Sequence, residues 1–322
     1  DGVLENLKYR KVAEKEPGPG EVKVDVIASG LNFKDIMVAM GLLDDGAYEG
    51  VYTGRSLGME CSGRVISVGD GVSEYKAGDD VILIGPNCFS SIVLTRASLV
   101  AKKPVHLSYE EAATIPMAYL TAYFSLIYYG RLEKGEKVFI HSATGGVGLA
   151  AINIAKAIGA EIYATAGNEE KREFLRSLGI KYVMDSRSLD FATQTMAFTN
   201  GKGVDLVLNS LSGPALSKSI GVLARYGRFI EIGKTDIYEN SKLGLRNFAK
   251  NLSYVAIDVD KLLLDRSDLC QKILFECVKN FKDQTFRPHP YKTFVASRIV
   301  DAFQHMAQSK QIGKIVVKMK DK

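Results

Sequence analysis

Short apolar, β-rich runs recur between Val22 and Val100, among them EVKVDVIASG, GRVISVG and DDVILIG. Gly, Asp and Pro separate these runs, most clearly at PGPG (17–20) and GDG (69–71). Short β-rich runs closed by turn residues are strands, so this region predicts a small irregular β-barrel. From about Glu136 the pattern changes. The apolar runs KVFIHS, EIYATA, KYVMDS, VDLVLNS, GRFIEIG and LSYVAID now alternate with amphipathic segments at 146–158, 169–178, 189–198 and 214–224. Six β-runs joined by helical crossovers predict an α/β domain with a doubly wound parallel sheet. The tail from Asp265 reads as a helix over DLCQKILFECVKNF, a Pro-containing loop, a second helix near 298–308 and a closing strand GKIVVKM. There is no internal repeat and no low-complexity tract.

The chain has 322 residues, 46 % hydrophobic and 25 % charged, enough to bury a large core in two domains. With 42 basic against 37 acidic side chains the formal charge of +5 is small and dispersed, which argues against a nucleic-acid partner. No apolar run approaches the roughly 20 residues of a membrane span. The N-terminal DGVLENLKYR lacks a charged-then-apolar signal pattern, and the expected location is the cytoplasm. Cys61, Cys88, Cys270 and Cys277 show no C-x-x-C spacing, so neither a disulfide framework nor a structural zinc cluster is expected. The chain begins at Asp1 without an initiator Met, which points to a piece cut from a longer polypeptide; a tag or trimming gives the same start.

One stretch carries candidate chemistry. HSATGGVGLA (141–150) leaves the run KVFIHS and opens the first amphipathic segment; its core Ala143-Thr144-Gly145-Gly146-Val147-Gly148 is a G-x-G-x-x-G fingerprint with alanine first. In that context Gly145 lets backbone amides approach a pyrophosphate, Gly148 lets helix and sheet pack closely, and the helix N-terminus presents N–H groups to the anion. An NAD site usually carries an acidic residue about 20 positions on, for the ribose 2′-hydroxyl. Tyr163, Ala164, Thr165 and Ala166 occupy that region instead. Without a carboxylate a 2′-phosphate is tolerated, with Thr165 and Lys171 framing it, and NADPH is the expected cofactor. On its own Lys171 also reads as a solvated helix lysine.

Six motifs in order, SGLNFKDIMVAMG (29–41), LGMECSGRVISVG (57–69), AATIPMAYLTAYFSL (112–126), GKGVDLVLNSL (201–211), GRFIEIGK (227–234) and MAQSKQIGKIVV (306–317), closely resemble the enoyl reductase domains of polyketide synthases and animal-type fatty acid synthases. These form a zinc-free branch of the medium-chain dehydrogenase/reductase superfamily, which the chain resembles over its whole length. The resemblance implies a GroES-like β-barrel substrate-binding domain at 1–117 and 264–322, and a Rossmann NADPH-binding domain at 118–263. It further implies cofactor contacts from Thr121, Asn209, Gly233 and Lys234 within these motifs. In the zinc-dependent branch a Cys and a His supply metal ligands; here Asn32 and Met59 stand at those positions, and an amide and a thioether do not replace thiolate and imidazole on Zn²⁺. No catalytic zinc is expected.

The implied activity is hydride transfer from NADPH to the β-carbon of an enoyl thioester carried by an acyl carrier protein through phosphopantetheine, within a multidomain synthase. Asn32 is then a candidate donor to the enolate oxygen, or simply the cap of a local turn. Many related domains place a Tyr shortly after the LNFKD-like motif, where this chain has Leu43; Tyr48 and Tyr52 lie nearby out of register. The family's other donors, a Lys and an Asp, match Lys171 and Asp190, with Asp185 as the alternative Asp. Lys171 is the better candidate for the phosphate. Alternative readings are enolate quenching into a cyclopropane on a substrate with a γ-leaving group, a stand-alone quinone or alkenal reductase, and a non-catalytic NADPH-binding scaffold.

Overall fold

A computed structural model that describes residues 2–320 has thirteen strands among those residues. The first five are β1 (Glu21–Leu31), β2 (Glu60–Val68), β3 (Asp80–Ile84), β4 (Ile92–Arg96) and β5 (Val100–Lys102). Six more follow: β6 (Lys137–Ile140), β7 (Glu161–Ala166), β8 (Tyr182–Asp185), β9 (Val204–Asn209), β10 (Leu223–Glu231) and β11 (Ser253–Ala256). β12 (Tyr291–Val295) and β13 (Lys314–Lys318) close the chain. The chain forms two units, one running to Leu120 and resuming at Val259, the other Thr121–Asp258. The sequence set these divisions at 117/118 and 263/264. The first falls inside helix Pro116–Tyr123, where no turn residue marks it.

In the first unit the sheet order is β12-β13-β1-β2-β3-β5, with β4 paired to β1. Val22, Val24 and Val26 of β1 have no exposed surface and pack with Cys61, Val65, Val81, Leu83, Val93 and Val100 as the barrel core. Each such side chain contributes roughly 1.5 to 3 kcal/mol on leaving water. β12 lies in what the sequence marks as a loop. Its pattern YKTFV follows Pro288-His289-Pro290 and is mostly exposed, as an edge strand is, and it pairs parallel to β13.

In the second unit the order is β11-β10-β9-β6-β7-β8, every pairing parallel. Counted from β6 this is 3-2-1-4-5-6, the doubly wound dinucleotide-binding order. Helices Gly146–Ile158, Glu169–Ser177, Phe191–Phe198 and Pro214–Gly221 supply crossovers, and the core gathers Phe139, Tyr163, Phe191, Val207, Ile220 and Phe229. β10 begins at Leu223, before the glycine that opens GRFIEIG, and its ladder shifts between Leu223 and Arg228, where Tyr226 takes φ +63°.

Candidate active site

In the second unit the fingerprint sits at the carboxyl end of β6, beside the reversal of strand order between β6 and β9, where doubly wound sheets take their ligands. The chain turns at Ser142 with φ +50°. Ala143 N–H then donates to Thr165 O at 2.9 Å. Ala143 is fully buried and Thr144 nearly so. A Cβ on Gly148 would lie 2.6 Å from Ala143 Cα, so only glycine lets helix Gly146–Ile158 seat against the turn. Gly145 is the N-cap, and no side chain caps the helix. The N–H groups of Gly146, Val147 and Gly148 therefore face outward, ahead of the first intrahelical bond, Leu149 N–H to Gly145 O at 2.9 Å. This end fits a dinucleotide pyrophosphate.

Beneath the turn, His141 is buried between Thr165 Oγ1 at 3.0 Å and Ser219 Oγ at 2.8 Å. Burial lowers its pKa to about 3, so the ring is neutral and acts as a pin between strand and helix. Thr165 thus spends its hydroxyl on the core and has no exposed surface, so it does not face a ribose phosphate as the sequence suggested. The cationic groups lie further out. A Cβ on Gly167 would come within 3.3 Å of Arg187 Nε, which places the guanidinium over the end of β7. Asn168 caps helix Glu169–Ser177 by accepting from Lys171 N–H at 2.9 Å. Burial, and then the charge of Arg187, hold the Lys171 ammonium below the usual lysine range. Asp185 is ion-paired with Arg172 at 3.0 Å, and Asp190 is exposed at the N-cap of helix Phe191–Phe198.

At the carboxyl ends of β9 and β10 the structure brings Asn209 and Gly233 together through Glu231. Asn209 Nδ2 donates to Glu231 Oε2, and Gly233 N–H to Oε1, both at 2.6 Å. Burial pushes the Glu231 carboxyl up to about 7. The Lys234 ammonium is held by Ile257 O at 3.0 Å and Asp258 at 2.9 Å. Thr121 is half-buried on helix Pro116–Tyr123.

In the first unit Asn32 is the N-cap of helix Phe33–Ala39, and its N–H donates to Asp35 Oδ2 at 2.8 Å. Its side chain does more than cap: Nδ2 donates to Glu60 Oε1 at 2.8 Å, and Oδ1 accepts from Lys314 Nζ at 2.7 Å. Burial raises the Asp35 carboxyl to about 6, although it accepts two backbone N–H groups, from Asn32 and Gly58. Met59 is buried, 3 % exposed. Among the described residues no group of three or more His, Cys, Asp or Glu side chains is placed to hold a metal ion. Leu43 is half-buried. Tyr48 lies under the Arg55 guanidinium at 4.0 Å, and the Tyr52 hydroxyl meets Thr95 Oγ1 at 3.3 Å.

Two family models match this arrangement: an alcohol dehydrogenase GroES-like domain over 18–114 and a zinc-binding dehydrogenase over 146–261. A solved enoyl reductase, CurK, is 40 % identical with a TM-score of 0.91, covering 99 % of this chain and 97 % of that one. The chain belongs to the polyketide synthase enoyl reductase family. A second solved relative of this enoyl reductase, the CurF ER cyclopropanase from curacin A biosynthesis, is 35 % identical with a TM-score of 0.90, covering 99 % and 97 % of the two chains. A phenolphthiocerol/phthiocerol polyketide synthase polypeptide of Mycobacterium tuberculosis is 44 % identical over 98 % of this chain, which spans 14 % of that synthase. The fold is that of nicotinamide-dependent oxidoreductases.

Four residues escaped the sequence reading of this enoyl reductase. Glu60 follows Met59 in the motif already singled out, and Lys314 and Glu231 are charges at the ends of apolar strands; that mismatch was their signal. Arg187 had none, because only the pairing of β7 with β8 brings it to Gly167.

Proposed function

We propose that this domain uses NADPH to reduce the α,β-double bond of an enoyl thioester presented on an acyl carrier protein, as one step of a multidomain synthase. The observation that carries the proposal is the match along nearly the whole of both chains to the CurK enoyl reductase. When bound, the dihydronicotinamide supplies the hydride equivalent. The helix end at Gly145 to Gly148 binds the pyrophosphate, and Lys171 and Arg187 bind the 2′-phosphate, so that NADPH is preferred over NADH. As hydride reaches the β-carbon, the double-bond electrons move onto the thioester oxygen. The Asn32 amide donates a hydrogen bond to that oxygen, and a proton then completes the α-carbon. Leu43 offers no proton, so protonation falls to water or to the exposed Asp190. Lys171 stays with the phosphate.

A second reading has one specific support, the likeness to the CurF ER cyclopropanase together with Leu43. With no acid committed to the α-carbon, the enolate of a substrate carrying a γ-leaving group closes on its own γ-carbon, and the leaving group departs with the bonding pair. The test is to assay the purified domain with NADPH against a crotonyl-type thioester on a carrier protein, its γ-chloro analogue, and a free quinone. The proposal expects the thioester to be reduced with the highest kcat/KM. A quinone preference would make the chain a stand-alone reductase, and tight NADPH binding without oxidation would make it a scaffold.

A further inference from the structure

Glu60 and Lys314 form an ion pair with almost no surface, the side chains being 0 % and 4 % exposed. Glu60 opens β2 and Lys314 opens β13, on either side of β1. Gly30 of β1 makes room for them: a Cβ there would lie 2.7 Å from Glu60 Oε1. A buried pair is tolerated only when every remaining polar atom is satisfied. Here it is. An ammonium has three N–H groups, and Lys314 Nζ donates to Glu60 Oε1, to Leu31 O at 3.0 Å and to Asn32 Oδ1 at 2.7 Å. Glu60 Oε1 also accepts from Asn32 Nδ2 at 2.8 Å, and Oε2 accepts from Met117 N–H at 2.7 Å.

This arrangement dictates the orientation of one amide. Turning Asn32 over would set its NH₂ against the ammonium and its oxygen against the carboxylate, two like-sign contacts in a site with little water to screen them. With Oδ1 committed to Lys314 and one Nδ2–H to Glu60, the second Nδ2–H has no partner among the described residues, and Asn32 is partly exposed. We infer that Lys314 and Glu60 are positioning residues that lock the Asn32 amide so that its remaining N–H is offered to the thioester oxygen. Asn32 stands at one of the positions where the zinc-dependent branch has a metal ligand, and the ion pair beside it makes of that residue a directed hydrogen-bond donor in place of a Lewis acid. The inference rests on the reading of Asn32 as a substrate contact.

The test is a cycle. Lys314→Met alone would strand a buried carboxylate, so it is combined with Glu60→Gln, which leaves the pair neutral. Asn32→Ala is made in the natural background and in this paired variant, and folding by thermal melt, NADPH affinity, kcat and KM are measured for each. The paired variant is expected to fold, to bind NADPH as the natural protein does, and to lose on the order of 100-fold in kcat, the scale of one lost oxyanion donor. KM should change little. Asn32→Ala should cost a similar factor in the natural background and nothing further in the paired variant. An unchanged kcat in the paired variant, or the same Asn32→Ala cost in both backgrounds, would overturn the inference. Side-chain amide NMR of the natural protein tests it without any variant in the decisive state, Asn32→Ser serving only to assign the signal. One Asn32 amide proton should be protected from exchange and the other not; equal protection of both would refute the lock. Failure of the natural protein to reduce any enoyl thioester would instead sink the functional reading and leave the NMR result standing.

Discussion

Lys171 and Arg187 bring two positive charges to the end of β7, where burial and then the Arg187 charge hold the Lys171 ammonium below the usual lysine range. Arg187 forms no ion pair among the described residues, while the nearby Asp185 is taken by Arg172. Like charges held together cost free energy unless an anion joins them. A 2′-phosphate is the anion that a dinucleotide would bring. Lys171→Ala and Arg187→Ala should each weaken NADPH binding by about 10- to 100-fold, the equivalent of a charge-assisted contact of about 1.5 to 3 kcal/mol. NADH binding should stay nearly constant. Fluorescence titration with both cofactors checks this, and parallel losses for the two would assign the cations to the fold. At this scale the sequence was readable in residue type and unreadable in direction. Lys171 could be singled out because no carboxylate stood at the end of β7, over Tyr163 to Ala166. Thr165 was misplaced because alternation alone does not say which face of a central strand holds a histidine. Asn32 could be read as a cap or as a donor, and the structure makes it a cap whose amide also meets Glu60 and Lys314.

At the scale of elements, the change of period near Glu136 was legible because a half-buried strand and a crossover helix bury their faces with different repeats. Helix Gly146–Ile158 was legible to the residue, its start marked by glycine and its end by Gly159 at φ +86°. β12 was not, because an edge strand with mostly exposed side chains leaves no apolar alternation to read. β10 was read short, since its irregular pairing hides the first residues. The cradle makes a sharper claim at this scale, that its geometry depends on helix and turn touching at Gly148. Gly148→Ala would press a methyl into the Ala143 backbone and push the helix end outward. Overpacking of this kind costs about 1 to 3 kcal/mol, and the thermal midpoint and the affinity for both dinucleotides should fall together. A variant that melts and binds like the natural protein would remove the cradle from the account.

The whole molecule divides its work between two kinds of surface. The doubly wound unit offers uncapped helix amides and a cationic corner, features suited to a phosphorylated dinucleotide and indifferent to the acyl chain. The barrel unit offers a buried ion pair that orients one amide. That division was legible as fold class and family from six motifs in order, which fall in both units, from the end of β1 and all of β2 to β9, β10 and β13. The reacting group was less legible, since Leu43 marks a missing acid without naming its replacement. The central claim is hydride delivery to the β-carbon of a carrier-bound enoyl thioester. Its most direct measurement is turnover of a crotonyl-type carrier thioester with NADPH deuterated in turn at each of the two C4 positions, followed by mass and NMR analysis of the product. One of the two labelled cofactors should place a single deuterium at the β-carbon of the saturated acyl chain, and the other should place none. Deuterium at neither position, or oxidation of NADPH with the acyl chain left unsaturated, would contradict the account.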